Sequence, residues 1–303
     1  MRFLNPRYGP VTSIISAPYP SFWSRVLWHS SATLHPDLKL SPGARVLESC
    51  GSGWSGDKQE SQCKAVTEAV ERWAFSYYQK FPDKAGLALD NTSTGFAALP
   101  GTFDQAQLYV NAYCEALERW TLNSIWDNSS IPLNSVALKR GPLIEMFSKF
   151  KGRLHCFKTI FDVSDLDFFA KKEAAFFFCI FETSTGGAIP GSACGIDEEK
   201  TLQRALVEAL IHTRVLNRLK EYPPDSLKDI LERRILFFGN DPAGFAKVKE
   251  RIDSGASNPP PAKPPMVFSK QLPGPWNPEI LVHRVILKDS LPFSSGGAER
   301  FVI

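Results

Sequence analysis

The sequence predicts an α+β fold in which amphipathic helices pack on a mostly antiparallel β-sheet. Helices are indicated by two copies of the pattern Glu-x-x-Glu-Arg-Trp, at 68–73 and 115–120, where apolar residues recur with the period of an α-helix. A third amphipathic helix is indicated from near Asp197. The apolar run 174–182 and the segment 280–287 are typical of buried and half-buried strands. Helices and strands of this kind bury their apolar faces against each other.

Composition sets the outer limits of function. The chain has 303 residues, of which 43% are hydrophobic and 22% charged, and this argues against disorder. We expect a single domain over 1–303 with a proline-rich, irregular excursion at about 221–278. A net charge of +3 without a long basic run does not indicate nucleic acid as a partner. The N-terminus lacks the apolar stretch of a signal peptide, and the longest apolar run, 174–181, is too short to span a bilayer, so we expect a cytoplasmic protein that does not contact a membrane.

The six cysteines are scattered without a Cys-x-x-Cys pair. We expect them to be reduced residues of the core. The five histidines are also dispersed, so the sequence gives little support for a structural zinc site.

The two patterned helices each place a pair of carboxylates on one face. Glu68 and Glu71 share a face of the first helix, and Glu115 and Glu118 share a face of the second. The residues expected to face the core are Val66, Val70, Trp73 and Tyr77 in the first helix and Tyr113, Leu117 and Trp120 in the second. Both helices should therefore present their carboxylates from a packed scaffold.

Glutamates three residues apart on a helix repel each other, by roughly 0.2–0.5 kcal/mol for an exposed pair. One interpretation is that they are solvated or paired with Arg72 and Arg119 on the same helices. In the other, the two glutamate faces meet across a cleft and hold a cation. The natural partner of converging carboxylates is Mg²⁺, usually shared with phosphate oxygens.

Small-residue loops precede the first and third helices. Gly51-Ser52-Gly53 could offer backbone N–H groups to phosphate, although neither the spacing nor the lysine of an ordinary P-loop is present, and the glycine-rich connection 185–195 opens the third helix. The third helix adds a fifth carboxylate, Glu208. With His212 one turn later it could bind a metal, or the two could form a surface Glu–His pair.

In this order the motifs resemble the YcaO family of ATP-dependent enzymes that modify peptide backbones. The resemblance rests on three blocks, 51–72, 92–119 and 191–209, which match that family's loops and glutamate helices. It departs from the family at Lys64, where serine is usual, and Asn111 stands at the equivalent position of the second helix. Lys64 could replace a metal by neutralising the carboxylates, or it could contact phosphate.

The resemblance implies a YcaO-like fold and a site for ATP and Mg²⁺. The implied metal ligands are Glu68, Glu71, Glu115, Glu118 and Glu208. The other residues implied to bind the cofactor are Lys64, Arg72, Asn111, Arg119, Arg204 and His212. No catalytic residue is assigned.

The implied reaction is activation of a peptide backbone amide by O-phosphorylation. Its commonest outcome is cyclodehydration of Cys, Ser or Thr to thiazolines or oxazolines in a ribosomally made, modified peptide. The alternatives are a thioamide- or amidine-forming enzyme and a catalytically inactive scaffolding subunit of a peptide-modifying complex. We expect a precursor peptide as substrate, a separate partner protein that binds its leader, and a homodimer.

Overall fold

The computed structural model describes residues 10–20, 26–35, 38, 50–80, 95–128, 130–223, 226–227, 230–256, 259, 261–292 and 295–302. The chain divides into two compact units. The first unit comprises Met1–Asn91, Gly95–Tyr113 and Phe268–Val285, and the second comprises Thr92–Thr94, Cys114–Val267 and Ile286–Ile303. A single domain over 1–303 stays a prediction.

Helices and mostly antiparallel strands alternate along the chain, so the predicted α+β class is confirmed. The strands are β1 (Val11–Pro20), β2 (Val26–Leu34), β3 (Cys50–Ser55), β4 (Gly95–Pro100), β5 (Asn134–Ser135), β6 (Gly152–Asp162), β7 (Glu173–Thr183), β8 (Ala188–Gly195), β9 (Met266–Leu272) and β10 (Ile280–Leu287). The helices are α1 (Lys58–Lys80), α2 (Gln105–Asn123), α3 (Pro142–Phe147), α4 (Glu198–Leu219), α5 (Ile230–Asn240) and α6 (Gly244–Gly255), and a π-helical turn, Ser124–Asn128, follows α2. No helix in these described segments is both long and apolar enough to cross a membrane.

The first unit contains the antiparallel sheet β1-β2-β3, on which α1 packs, and strands of the sheet β4-β10-β9. The predicted apolar stripe of α1 faces the core. Val70 and Trp73 are buried, and Val66 and Tyr77 are half-buried against the same cluster. Trp73 also packs edge-on against Trp276, with ring centroids 5.3 Å apart.

The second unit is built on the antiparallel sheet β5-β6-β7-β8, with α4 packed on β7 and β8. Strand β7 is buried along almost its whole length, which confirms the strand predicted at 174–182. In α2, Leu117 is buried and Trp120 is half-buried. Both sides of the β7 strand are therefore covered, as its continuous apolar sequence requires.

The cysteines occupy different environments. Cys114, Cys156, Cys179 and Cys194 are buried as expected, but Cys50 is only half-buried and Cys63 is exposed on α1. The prediction that all six lie in the core is therefore wrong for Cys63.

The segment 221–278 differs from the irregular excursion that its prolines suggested. It contains helices α5 and α6 and strand β9. In the described part of this segment, Pro223, Pro259, Pro261, Pro264 and Pro265 stand between these elements rather than inside them. A proline ends one helix without preventing the next, because only the residues adjoining its ring are restricted.

The last described residues are fixed to the second unit by two buried arginines. Arg234 donates hydrogen bonds to the backbone oxygens of Gly297 and Val302, at 3.1 and 2.7 Å. Arg300 donates to both carboxylate oxygens of Asp127, which lies in the π-helical turn after α2. These bonds anchor the end of the helix that carries Glu115 and Glu118.

One residue pattern occurs in both β3–α1 and β8–α4. A Cβ atom added to Gly51 would lie 2.0 Å from the Ala65 oxygen, and one added to Gly191 would lie 2.2 Å from the Ala205 oxygen. Only glycine lets strand and helix approach this closely. Ala65 stands three residues before Glu68, and Ala205 stands three residues before Glu208. Each glycine therefore sets how near the glutamate on the helix lies to the preceding strand.

An aspartate caps the N-terminus of α1, and another caps the N-terminus of α4. The Asp57 carboxylate accepts a hydrogen bond from the N–H of Glu60 at 2.8 Å, and the Asp197 carboxylate accepts one from the N–H of Lys200 at 3.3 Å.

Replacement of Asp57 by alanine should destabilise the first unit by about 1 kcal/mol, because a donor in the first helical turn loses its partner. Urea unfolding would measure this loss. Asp57→Asn keeps an acceptor oxygen and is the matched control, so an equal loss in both variants would contradict the capping role.

Candidate functional site

The glutamates of α1 are fixed by backbone N–H groups of two different strands. Glu68 accepts a hydrogen bond from the N–H of Ser52 in β3 at 2.8 Å and pairs with Arg72 on its own helix. Glu71 accepts one from the N–H of Ala98 in β4 at 2.7 Å. The ion pair predicted for Arg72 is present, but it occupies only one oxygen of Glu68. Both carboxylates are held in defined positions rather than solvated freely.

The glutamates of α2 have different surroundings. Glu115 pairs with Arg119 one turn later on the same helix, as one interpretation of the sequence required. Glu118 instead reaches β8, where it accepts hydrogen bonds from the Ser192 hydroxyl at 2.7 Å and from the Cys194 N–H at 3.1 Å. Glu118 is therefore bound to the strand that precedes the third glutamate helix.

Helix α4 holds its functional side chains against β8. Glu208 accepts a hydrogen bond from the N–H of Ser192, and His212 donates its Nδ1–H to the backbone oxygen of Pro190 at 2.7 Å. The tautomer of His212 follows because a carbonyl oxygen can only accept. Burial lowers the pKa of His212, so this ring is neutral. Glu208 and His212 are both half-buried against the sheet.

Ser192 brings Glu118 and Glu208 together in the second unit. Its hydroxyl lies 2.7 Å from Glu118 and 3.5 Å from Glu208. Burial first, and then the negative charge of neighbouring Glu118, raise the pKa of Glu208 to about 8, against a smaller lowering by hydrogen bonds from Ser192 and the charge of Arg204. Glu208 is therefore mainly protonated at neutral pH, because a second negative charge beside Glu118 is unfavourable in this buried position. A divalent cation bound to both carboxylates would replace that proton and balance their charges, so the donor set fits Mg²⁺.

Lys64 and Arg204 occupy matching positions in the two repeated segments. The Lys64 ammonium lies 3.3 Å from the backbone oxygen of Trp54 in β3, and Arg204 donates to the backbone oxygen of Cys194 in β8 at 3.4 Å. Lys64 also forms an ion pair with Glu60 at 2.7 Å. Both cations therefore satisfy carbonyl groups of edge strands. This contact gives Lys64 a structural partner that neither sequence interpretation foresaw.

Asn111, the remaining residue implied by the resemblance, is half-buried on α2 within the first unit. Its side-chain oxygen accepts a hydrogen bond from the Gln107 amide at 2.7 Å. Its role toward a cofactor stays a prediction.

The sequence placed Ser52, Ser192 and Cys194 in small-residue loops but did not predict that they or Ala98 position the glutamates. Three of these four residues act through backbone N–H groups, and Ser192 acts through both its N–H and its hydroxyl. One signal was available. Ser52 precedes Glu68 by the same number of residues as Ser192 precedes Glu208.

Within the described residues, no three His, Cys, Asp or Glu side chains are grouped closely enough to hold a metal ion by themselves. A cation at the Glu118–Glu208 pair would need further oxygen ligands. Mg²⁺ commonly takes these from water and from substrate phosphates, since it binds proteins through only one or two carboxylates.

The fold and the glutamate-bearing helices define a class of α+β proteins with carboxylates on helices packed against antiparallel strands. Two solved structures place the chain in the YcaO fold. A heterocyclase in complex with substrate and cofactor matches with a TM-score of 0.56 at 13% identity, over 99% of this chain and 52% of the heterocyclase. YcaO from Methanopyrus kandleri bound with AMPPCP and Mg²⁺ matches with a TM-score of 0.51 at 13% identity, over 92% of this chain and 86% of that chain.

The chain spans about half the length of the heterocyclase that it matches. No protein-family model matches the sequence, and no curated protein matches it. Structural similarity at 13% sequence identity establishes the fold alone. The YcaO-like fold predicted from the motifs is therefore confirmed.

Proposed function

We propose that this protein is an ATP- and Mg²⁺-dependent enzyme of the YcaO type that activates a peptide backbone amide. The observation that carries the proposal is the pair Glu118 and Glu208, held together by Ser192 in a buried position that disfavours a second negative charge unless a cation balances it. The fold supports it, because the matched YcaO from Methanopyrus kandleri is bound with AMPPCP and Mg²⁺. Carboxylates held by a rigid strand suit this role, since phosphoryl transfer depends mainly on positioning and neutralisation of charge.

In this proposal the five glutamates Glu68, Glu71, Glu115, Glu118 and Glu208 supply the metal ligands. Bound Mg²⁺ would neutralise the charge of the triphosphate. Strand N–H groups keep four of these carboxylates, those of Glu68, Glu71, Glu118 and Glu208, in place before a ligand arrives. Arg72 and Arg119 orient Glu68 and Glu115 through ion pairs on their own helices. The remaining cofactor-binding residues proposed are Lys64, Asn111, Arg204 and His212.

The finer proposal is cyclodehydration of a precursor peptide. The side-chain S–H or O–H of Cys, Ser or Thr adds to the carbonyl carbon of the preceding residue. The carbonyl oxygen then takes the γ-phosphoryl group, and ADP is released. Loss of the amide proton and departure of phosphate form the C=N bond of the azoline. The heterocyclase that shares the fold was solved with a substrate, which supports a peptide substrate here. A separate leader-binding partner and a homodimer belong to the same proposal.

Calorimetric titration with ATP, with and without Mg²⁺, tests the proposed function without knowledge of the peptide. We expect Mg²⁺-dependent binding by the parent protein and its loss in Glu68→Ala and Glu115→Ala, because each variant removes a proposed metal ligand. Glu232→Ala is the matched control, since Glu232 also pairs with an arginine, Arg218, at 3.4 Å on the surface. The control should bind like the parent.

Each other outcome changes the conclusion. Absence of binding by the parent under both conditions would contradict an ATP-dependent enzyme and favour the scaffolding subunit. Equal binding by the parent and both glutamate variants would contradict the assigned ligands. Once binding is established, mass spectrometry of candidate peptides separates the reactions, because an azoline forms by loss of water and a thioamide forms by exchange of oxygen for sulfur.

A further inference from the structure

Ser192 and Ser52 occupy matching positions in the two repeated segments, but their hydroxyl groups have different partners. Both backbone N–H groups donate to a glutamate on the following helix, Ser52 to Glu68 and Ser192 to Glu208. The Ser52 hydroxyl lies 3.1 Å from the His29 ring. The Ser192 hydroxyl instead donates to Glu118 on another helix, at 2.7 Å. The repeated fold therefore explains the N–H contact of Ser192 but not the hydroxyl contact.

We propose that Ser192 is a positioning residue that sets the orientation of Glu118 and Glu208 toward a shared cation. This inference rests on the proposed function. Ser192 reaches both carboxylates from one residue, since its N–H fixes Glu208 and its hydroxyl fixes Glu118. The side chain is 6% exposed, so it is shielded from water that could replace it. Cys194, two residues later on the same strand, holds the second oxygen of Glu118.

The energetics favour this assignment over a purely structural one. A hydroxyl that donates to a carboxylate stabilises its charged form, which is the form that binds a metal. Each carboxylate oxygen has two lone pairs, so the hydrogen bonds from Ser192 and Cys194 leave capacity for a metal. Groups that orient a metal ligand in this way typically contribute about 10- to 100-fold to metal affinity. Ser192→Ala would remove the hydroxyl and keep the N–H contact with Glu208.

The experiment compares Mg²⁺-dependent ATP binding of the full chain by calorimetry in the parent, Ser192→Ala and Thr213→Val. The matched control is Thr213→Val, because the Thr213 hydroxyl is also buried but donates to the backbone oxygen of Ala209 within α4. We expect Ser192→Ala to weaken binding by about 10- to 100-fold. We expect Thr213→Val to bind like the parent. Ser192→Thr, which keeps the hydroxyl, should restore most of the affinity, and urea unfolding of every variant reports its folding.

The outcomes separate this inference from the proposed function. Binding by Ser192→Ala equal to that of the parent, or equal weakening in Ser192→Ala and Thr213→Val, would overturn the positioning role and leave the proposed function standing. Failure of the parent and all variants alike to bind Mg²⁺ and ATP would overturn the proposed function and, with it, the role of Ser192.

Discussion

Replacement of Glu208 by glutamine should abolish Mg²⁺-dependent ATP binding and at the same time stabilise the metal-free protein at alkaline pH. The folded-state pKa of Glu208 is raised from its ordinary value of 4.5 to about 8. Protonated Glu208 therefore stabilises the fold fully below pH 4.5, and this contribution is lost as the pH rises through about 8. Glutamine is neutral at every pH and keeps an oxygen that accepts from the Ser192 N–H.

The size of the expected gain in stability follows from the interval between the ordinary pKa of Glu208, 4.5, and its pKa in the folded protein, about 8. Each pH unit between them corresponds to roughly 1.4 kcal/mol. We therefore expect a gain of a few kcal/mol for Glu208→Gln above pH 8, and a small difference from the parent at pH 4.5. Urea midpoints measured across this range in the absence of metal provide the test. Glu232→Gln is the control, since its carboxylate lies in a surface ion pair.

Opposite effects on stability and binding would identify Glu208 as a functional residue, because one substitution would then improve the metal-free fold and remove a metal ligand. A uniform loss of stability in Glu208→Gln at all pH values would contradict the raised pKa. Retention of Mg²⁺-dependent binding would contradict its role as a ligand.

The same pKa shift predicts how binding by the parent depends on pH. A metal ion and a proton compete for the carboxylate, so the affinity for Mg²⁺ should rise as the pH increases toward about 8. Glu208→Gln should show no Mg²⁺-dependent binding at any pH in this range. The comparison uses the same calorimetric titration at several pH values.

The helices that carry the site could be predicted because their apolar residues follow a clear period. In α1 the stripe that includes Val70 and Trp73 is buried, and β7 is buried as its unbroken apolar sequence indicated. The prediction of irregular structure from the prolines of 221–278 was wrong, because helices α5 and α6 form there. Composition drew attention to the prolines, although their positions between elements decide the structure.

The site could be predicted only at the level of its charged side chains. Glutamates three residues apart are visible in the sequence, but the backbone donors that position them are not. Every residue except proline carries an N–H group, so nothing in the identity of Ala98 or Cys194 indicates that its N–H binds a glutamate. The partner of Lys64 was missed for the same reason, because it is a backbone oxygen, that of Trp54.

Replacement of Gly191 by alanine should prevent normal folding of the second unit. The new Cβ would lie 2.2 Å from both the Ala205 oxygen and the Ala209 nitrogen, which are backbone atoms of α4. A side chain could rotate away from such a contact, but these atoms can move only if the whole helix shifts from β8. We expect a loss of more than about 4 kcal/mol, which places this substitution among the most damaging single changes.

Gly141→Ala is the matched control in the same unit. Gly141 has extended backbone angles that any residue adopts, with φ of −178°, and a Cβ added there would meet no atom within 4 Å. Its substitution should be neutral or stabilise the protein by up to about 1 kcal/mol, because alanine restricts the unfolded chain. Circular dichroism with urea unfolding measures both variants, and hydrogen exchange in α4 locates the damage. Equal stability of Gly191→Ala and Gly141→Ala would show that α4 can move away from β8. In that case the close approach of Glu208 to Ser192 would not depend on the glycine, and the fixed position of the Glu118–Glu208 pair would need another cause.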